Sequence, residues 1–167
     1  MEAILYASKT GFTEQFARLL AEATGLPAVP LASAKLPEGA PIVYAGWLRA
    51  GKVMGYAQAA KKYRVEAVLA VGLAPSSPQQ EKATRDRNQI PAGNAVFCLR
   101  GGLTIEKLKG MEKFAMRLIT SSTAKKLAAK ASRTPDEDDE LDILRNGGHR
   151  VSLVALSPVL AWYQAHK

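Results

Sequence analysis

Short apolar runs alternate with amphipathic segments through most of this chain. The runs "PIVYAG" at 41–46 and "VEAVLAVGL" at 65–73 are almost wholly apolar, which is typical of strands covered on both faces of a sheet. Segments with helical periodicity lie between such runs, and strands that alternate with helices predict a parallel sheet with helices on both faces. We therefore predict one α/β domain over residues 1–167, with a doubly wound sheet of five strands at about 2–7, 28–31, 41–46, 65–73 and 94–102.

Cysteine and histidine are scarce, which limits the chemistry of the chain. Cys98 is the only cysteine and there are two histidines, so no internal disulfide can form and a zinc cluster is not expected. Cys98 lies in the apolar stretch "AVFCL" and is predicted to be a core residue. No apolar run reaches the roughly 18 residues of a membrane span, and the first residues lack the pattern of a secretion signal. We therefore expect a cytoplasmic protein without a metal site.

The charge of the chain is strongly positive and concentrated in one region. The net charge is +8, and the segment between Arg100 and Arg133 holds nine basic and two acidic residues. Such a surface favours anionic partners. A basic helical segment at about 104–133, with Phe114, Met116 and Leu118, suits a helix on an anionic membrane, which would place the protein peripherally at the inner membrane face. It also suits a sheet-packing helix with a basic outer face. No nucleic-acid motif accompanies the charge, so nucleic acid is not expected as a partner.

The first apolar run ends abruptly in "SKTGFTE", and a helical pattern begins at once. In open α/β sheets ligands bind at the carboxyl ends of the strands, which is where this turn lies. Ser8, Thr10 and Thr13 offer hydroxyl groups, and Gly11 can adopt backbone angles barred to other residues. The helix adds free N–H groups and the positive end of its dipole. Together these features suit a bound phosphate group.

Other nucleotide-binding motifs do not fit this turn. The dinucleotide motif G-x-G-x-x-G needs three glycines where only Gly11 is present, and the P-loop motif G-x-x-x-x-G-K-[ST] is absent. A terminal phosphomonoester is the ligand that remains. The alternative is a plain connection between strand and helix, in which Thr10 or Thr13 caps the helix. The residues of the turn leave both interpretations open.

The segment "ILYASKTGFTEQFA" resembles the phosphate loop of flavodoxins, in which a hydrophobic strand and an aromatic residue precede S-x-T-G-x-T-E. The resemblance implies a flavodoxin-like fold with strand order 2-1-3-4-5 and FMN as cofactor. It also implies that FMN contacts the loops after the first, third and fourth strands. The residues so implied are Ser8, Lys9, Thr10, Gly11, Phe12 and Thr13 for the phosphate, and Gly46, Trp47, Leu48, Arg49, Gly72, Leu73, Ala74, Pro75 and Ser76 around the ring.

Two further segments narrow the resemblance. "YAGWLRAGKVMGYAQAAKKY" and "LRGGLTIEKLKGMEKFAMRLI" are similar to segments of the bacterial menaquinone-dependent protoporphyrinogen dehydrogenases, a flavodoxin-like group. This likeness implies an FMN-dependent oxidoreductase that passes electrons or hydride through the flavin to a quinone, with no catalytic side chain. Two other functions stay open: an electron-carrier flavodoxin that docks with redox partners, and a binding module without cofactor. Carriers usually present an acidic face to basic partners, so the net charge of +8 disfavours the first.

Four side chains have a functional and a structural interpretation each. Flavodoxins often place a tyrosine where this chain has Pro75 and Ser76, so Trp47 is the residue expected to stack on the flavin. The alternative is that Trp47 is a structural residue that covers the end of the sheet. Arg49 would place positive charge near flavin N1, near the phosphate or near an anionic substrate. The alternative is that Arg49 is an ordinary surface arginine. Lys9 would add charge to the phosphate loop, or point into solvent. His149, in a loop, is not expected to be catalytic.

Overall fold

Parallel strands form the centre of the computed structural model, which describes residues 1–167. Its central sheet contains β1 (Ala3–Ala7), β2 (Ala28–Pro30), β3 (Pro41–Arg49), β4 (Lys52–Val53), β5 (Arg64–Gly72) and β6 (Ala95–Arg100). The helices are α1 (Phe12–Thr24), α2 (Tyr56–Lys62), α3 (Pro78–Asn88), α4 (Gly110–Ala128), α5 (Pro135–Asn146) and α6 (Ser157–His166). Two short strands, β7 (Gly102–Leu103) and β8 (Gly148–His149), form a separate antiparallel pair.

The strand order differs from the predicted one. Numbered along the chain, neighbouring strands follow the order β2-β1-β3-β5-β6, whereas the prediction was 2-1-3-4-5. The difference arises because β4 was not foreseen: it is the fourth strand along the chain, and it pairs only with β3, in antiparallel orientation. All other pairs in the central sheet are parallel. The α/β class and the mostly parallel sheet are thus confirmed.

The sheet separates two apolar cores because successive side chains of a strand point to opposite faces. Leu5 of β1 belongs to the core shared with α2, which contains Tyr56 and Ala59. Ile4 belongs to the opposite core, where α1 and α6 pack. Cys98 is 4% exposed in the first of these cores, as expected, and burial raises the pKa of its thiol. This three-layer arrangement leaves the carboxyl ends of the strands at one edge.

The segment "WLRAGKVMG", predicted as a loop, is instead part of a β-hairpin. β3 continues to Arg49 and turns through Ala50 (φ 48°) and Gly51 (φ 77°) into β4. Two successive residues with positive φ make the kind of turn that matches the twist of paired strands. Asn88 of α3 holds this hairpin, because its side-chain oxygen accepts from Val53 N at 2.8 Å and its amide donates to Gly51 O at 2.9 Å. The second predicted binding segment, after the third strand, is therefore a fixed, hydrogen-bonded element.

After β6 the chain leaves the sheet and forms a helical hairpin. α4 packs against α5 through Ala124, Leu141 and Leu144, so the interpretation of α4 as a sheet-packing helix is wrong. Arg100 at the end of β6 pairs with Asp139 of α5, which ties the helical hairpin to the sheet. No helix of the structure combines the length and the apolar character needed to cross a membrane.

Candidate functional site

The turn after β1 wraps around the start of α1. Ser8 Oγ accepts a hydrogen bond from Gly11 N at 3.1 Å, which closes the turn on itself. Gly11 is the residue before the helix and has φ 97°, a left-handed conformation that strains residues with a side chain. The glycine is therefore required by the backbone path between the strand and the helix.

No side chain caps the N-terminus of α1. The residue at the cap position is Gly11, and the structure has no side-chain hydrogen bond there. The interpretation of the turn as a threonine cap, with Thr10 or Thr13 in that role, is therefore wrong. The N–H groups of the first helical turn remain as donors, at the positive end of the helix dipole.

The six residues predicted to hold a phosphate differ in exposure. Ser8, Thr10 and Gly11 are partly exposed and Lys9 is exposed. Phe12 and Thr13 are 8% and 2% exposed, and Phe12 belongs to the apolar core beneath α1. The first four residues thus present their groups to solvent, whereas Phe12 and Thr13 can contribute chiefly their backbone N–H groups.

Two lysines from distant parts of the chain meet at this turn. Lys107 Nζ donates to Thr10 O at 3.2 Å, and a Cβ built on Gly11 would lie 3.9 Å from the same nitrogen. Lys9 Nζ lies 2.6 Å from a carboxylate oxygen of Glu112, at the start of α4. The hydrogen bond from Lys9 lowers the pKa of Glu112, and the charges of Lys9 and then Arg49 lower it further. The turn therefore carries three nearby cations and one carboxylate.

The β3–β4 hairpin stands beside the turn. Lys9 Nζ lies 5.8 Å from the centre of the Trp47 ring, so the first two predicted binding segments do come together. Trp47 and Leu48 are partly exposed and Arg49 is exposed. Gly46 is buried, and a Cβ there would lie 2.6 Å from Val53 Cγ1, so the folded-back hairpin needs a glycine at this position.

Only part of the third predicted segment, which follows β5, lies next to the β3–β4 hairpin. A Cβ on Gly72 would lie 2.9 Å from Leu48 Cδ1, so the hairpin and the end of β5 are in close contact. Leu73 instead packs against the cluster between α4 and α5. Ala74 and Pro75 are partly exposed and Ser76 is exposed in the bend that precedes α3.

Three residues of this region were not assigned to the site from the sequence. Lys107 and Glu112 were counted only as charges of the basic segment, and Asn88 was given no role. Lys107 and Glu112 lie 97 and 103 residues from their partners, so no local pattern could have found them. His149 lies in β8, where its ring centre is 6.2 Å from that of Phe12.

No family model matches the chain, and no curated protein matches it significantly. The chemistry of the site must therefore be argued from its own residues. Backbone N–H groups, hydroxyls and ammonium groups converge on one exposed turn, and such a donor set is suited to binding an anion.

Proposed function

We propose that this chain is a cytoplasmic, flavodoxin-like oxidoreductase that binds FMN and passes electrons or hydride to a quinone. The observation that carries the proposal is the uncapped N-terminus of α1, next to Ser8, Lys9, Thr10 and Lys107. A phosphate monoester there would accept from N–H and hydroxyl groups and meet positive charge. This donor set fits the phosphate end of FMN, and the resemblance of the turn to the flavodoxin loop points to the same cofactor.

The ring of FMN would lie toward the β3–β4 hairpin. Trp47, which is partly exposed beside Lys9, would stack on the ring, and Arg49 would place positive charge near it. Gly72 would act indirectly, because it lets Leu48 of the hairpin pack closely on the end of β5. The flavin, when bound, would supply the redox chemistry, and the protein would bind it, orient it and tune its electronics.

The first experiment compares FMN with riboflavin, which lacks the phosphate. We expect FMN to bind more tightly in a titration followed by flavin fluorescence. The double variant Lys9→Gln plus Lys107→Gln should weaken FMN binding by about tenfold or more, because charge-assisted hydrogen bonds to the phosphate are lost. Riboflavin affinity should not change. The matched control, Lys61→Gln plus Lys62→Gln on α2, removes the same charge far from the turn.

The outcomes separate the three functions considered above. Equal affinities for FMN and riboflavin would contradict the phosphate site at the turn. The absence of flavin binding would contradict the whole proposal and leave the binding module without cofactor. Protein that binds FMN is then assayed without oxygen for oxidation of protoporphyrinogen with menadione as acceptor, followed by porphyrin fluorescence. Tight FMN binding without turnover would favour the electron carrier over the oxidoreductase.

A further inference from the structure

The outward side of α4 carries four exposed apolar residues. Met111, Phe114, Leu118 and Ile119 are 82%, 60%, 58% and 61% exposed. Their spacing of three, four and one places them on one side of a helix, within about two turns. We call these four residues the α4 stripe. A group of large apolar side chains that are exposed together often marks an interaction surface.

The stripe is not the face by which α4 joins the rest of the fold. That inner face is buried through Thr120 and Ala124, and Ala124 packs on Leu141 and Leu144 of α5. The stripe therefore remains free after the intramolecular packing of α4 is complete. A partner outside this chain is needed to cover it.

Basic residues without a partner accompany the stripe. Lys125 and Lys126 follow Leu118 and Ile119 by seven residues each, so they continue the same side of α4 toward its end. Neither they nor Arg117 forms an ion pair in the structure. This side of α4 thus joins an apolar surface to free positive charge.

The acidic start of α5 does not neutralise these cations. Glu137 pairs with Lys130, Asp138 with Arg133, and Asp139 with Arg100 and Arg150. Glu137, Asp138 and Asp139 are therefore engaged with basic residues outside the exposed side of α4, whereas Asp136 and Glu140 form no ion pair. None of the acidic residues of α5 pairs with Arg117, Lys125 or Lys126.

We propose that this side of α4 docks on an anionic phospholipid bilayer. The α4 stripe enters the boundary between headgroups and acyl chains, and Arg117, Lys125 and Lys126 contact the headgroups, as in helices that lie in a membrane interface. Beside the stripe, Ser121, Lys125 and Arg145 line an open groove of about 550 Å³ between α4 and α5, which offers further polar groups to headgroups. The proposal does not depend on flavin binding.

Other occupants suit this surface less well. A second copy of the chain would bring the same unpaired cations together, at a net charge of +8 for each chain. Nucleic acid would satisfy the charge but would not bury Met111, Leu118 and Ile119. An acidic protein would need a groove shaped for a convex helix, whereas a fluid bilayer adapts to the exposed side chains.

The test is flotation of the purified protein with lipid vesicles. Vesicles of phosphatidylcholine alone are compared with vesicles of phosphatidylcholine and phosphatidylglycerol in equal amounts. We expect binding to the anionic vesicles only, and the binding should weaken as salt is added because salt screens the charges. No binding to anionic vesicles, or equal binding to neutral ones, would overturn the proposal and make an acidic protein the better candidate for a partner.

Three double variants separate the contributions of the basic and the apolar side chains of α4 to vesicle binding. Lys125→Gln plus Lys126→Gln should lower the vesicle partition coefficient by about thirtyfold, from about fivefold for each basic residue. Phe114→Ser plus Leu118→Ser should lower it by about tenfold or more. The control Lys61→Gln plus Lys62→Gln removes the same charge from α2 and should have a much smaller effect.

The replaced side chains are solvent-exposed, so thermal melting should show that all variants fold. Binding that is unaffected by both α4 variants, or reduced equally by the α2 control, would overturn the assignment to this surface. Sedimentation equilibrium tests whether a second copy of the chain covers the α4 stripe instead. A dimer that dissociates in Phe114→Ser plus Leu118→Ser would show that a second copy covers the stripe, and would also overturn the proposal.

Discussion

At the scale of single residues, one carboxylate joins the helical hairpin to the sheet. Asp139 of α5 accepts from Arg150 Nε at 2.7 Å and also pairs with Arg100, whose side chain is only 11% exposed. The hydrogen bond from Arg150 lowers the pKa of Asp139, burial opposes this, and Arg100 lowers the pKa further. Arg100 Nε is buried without a partner, and the only other acceptor of the guanidinium is Asp136 O, 3.2 Å from Nη2.

Replacing Asp139 should therefore destabilise the fold. We expect Asp139→Asn to lower the free energy of unfolding by about 1–2 kcal/mol at neutral pH, because a charge-assisted hydrogen bond is lost at a site that solvent partly screens. Because the folded-state pKa is lowered, the stability that Asp139 contributes is present above its ordinary value of 3.8 and is lost as the pH falls through the folded-state value. The difference between the two proteins should shrink over that range.

Urea denaturation at neutral and acid pH measures this difference. The matched control is Asp136→Asn, which removes the same charge from the same helix at a side chain without an ion pair. Equal effects of the two substitutions at neutral pH would contradict the role given to Asp139.

At the scale of elements, the β3–β4 hairpin shows how one side chain can order a candidate binding segment. Asn88 bonds to Gly51 in the turn and to Val53 in β4, and it also donates to Thr84 O at 2.8 Å within its own helix. Trp47 and Arg49 lie on this hairpin. Their positions relative to the turn after β1 thus depend on a residue of α3.

Removing the Asn88 side chain should loosen the hairpin. We expect Asn88→Ala to lower the free energy of unfolding by about 1–3 kcal/mol, because Val53 N and Gly51 O lose their partner. FMN affinity should fall with it, if the ring stacks on Trp47 as proposed. Thermal melting and FMN titration measure the two effects. Gln79→Ala, at an exposed amide in the first turn of α3, is the control, and an equal effect there would argue against a role of Asn88.

At the scale of the whole molecule, the cores differ greatly in size. The two clusters on the faces of the sheet contain 15 and 14 buried residues, whereas the cluster between α4 and α5 contains three. Local stability follows the number of buried apolar contacts. The helical hairpin should therefore open more readily than the sheet.

Hydrogen exchange followed by mass spectrometry tests this expectation. We expect amides of α4 and α5 to be protected less than those of β1, β3 and β5, by about two orders of magnitude. Anionic vesicles should raise the protection of α4 if it docks as proposed. Equal protection of the helical hairpin and the sheet in the free protein would contradict the expectation that the smaller core makes the hairpin less stable.

The same scale shows how far the sequence predicts this fold. The apolar runs at β3 and β5 and the start of α1 were recognised because they depend on local patterns of side chains. The β3–β4 hairpin was missed because two glycines around an arginine also suit a loop, and Ala50 gives no sign of its positive φ. The sequence left open whether Phe114 faces the sheet or the outside, because periodicity shows which residues share a face, not whether a partner covers it.

The sequence by itself determined the alternation of strands and helices and the place of the turn after β1. Both follow from short-range sterics and solvent exposure, which act over a few residues. Only the tertiary structure decided that Glu112 pairs with Lys9, that Lys107 reaches Thr10, and that α4 leaves four apolar residues uncovered. The two lysine contacts join residues about a hundred positions apart, and the uncovered residues of α4 depend on what packs against that helix. Both are decided by how the elements pack and not by any local pattern.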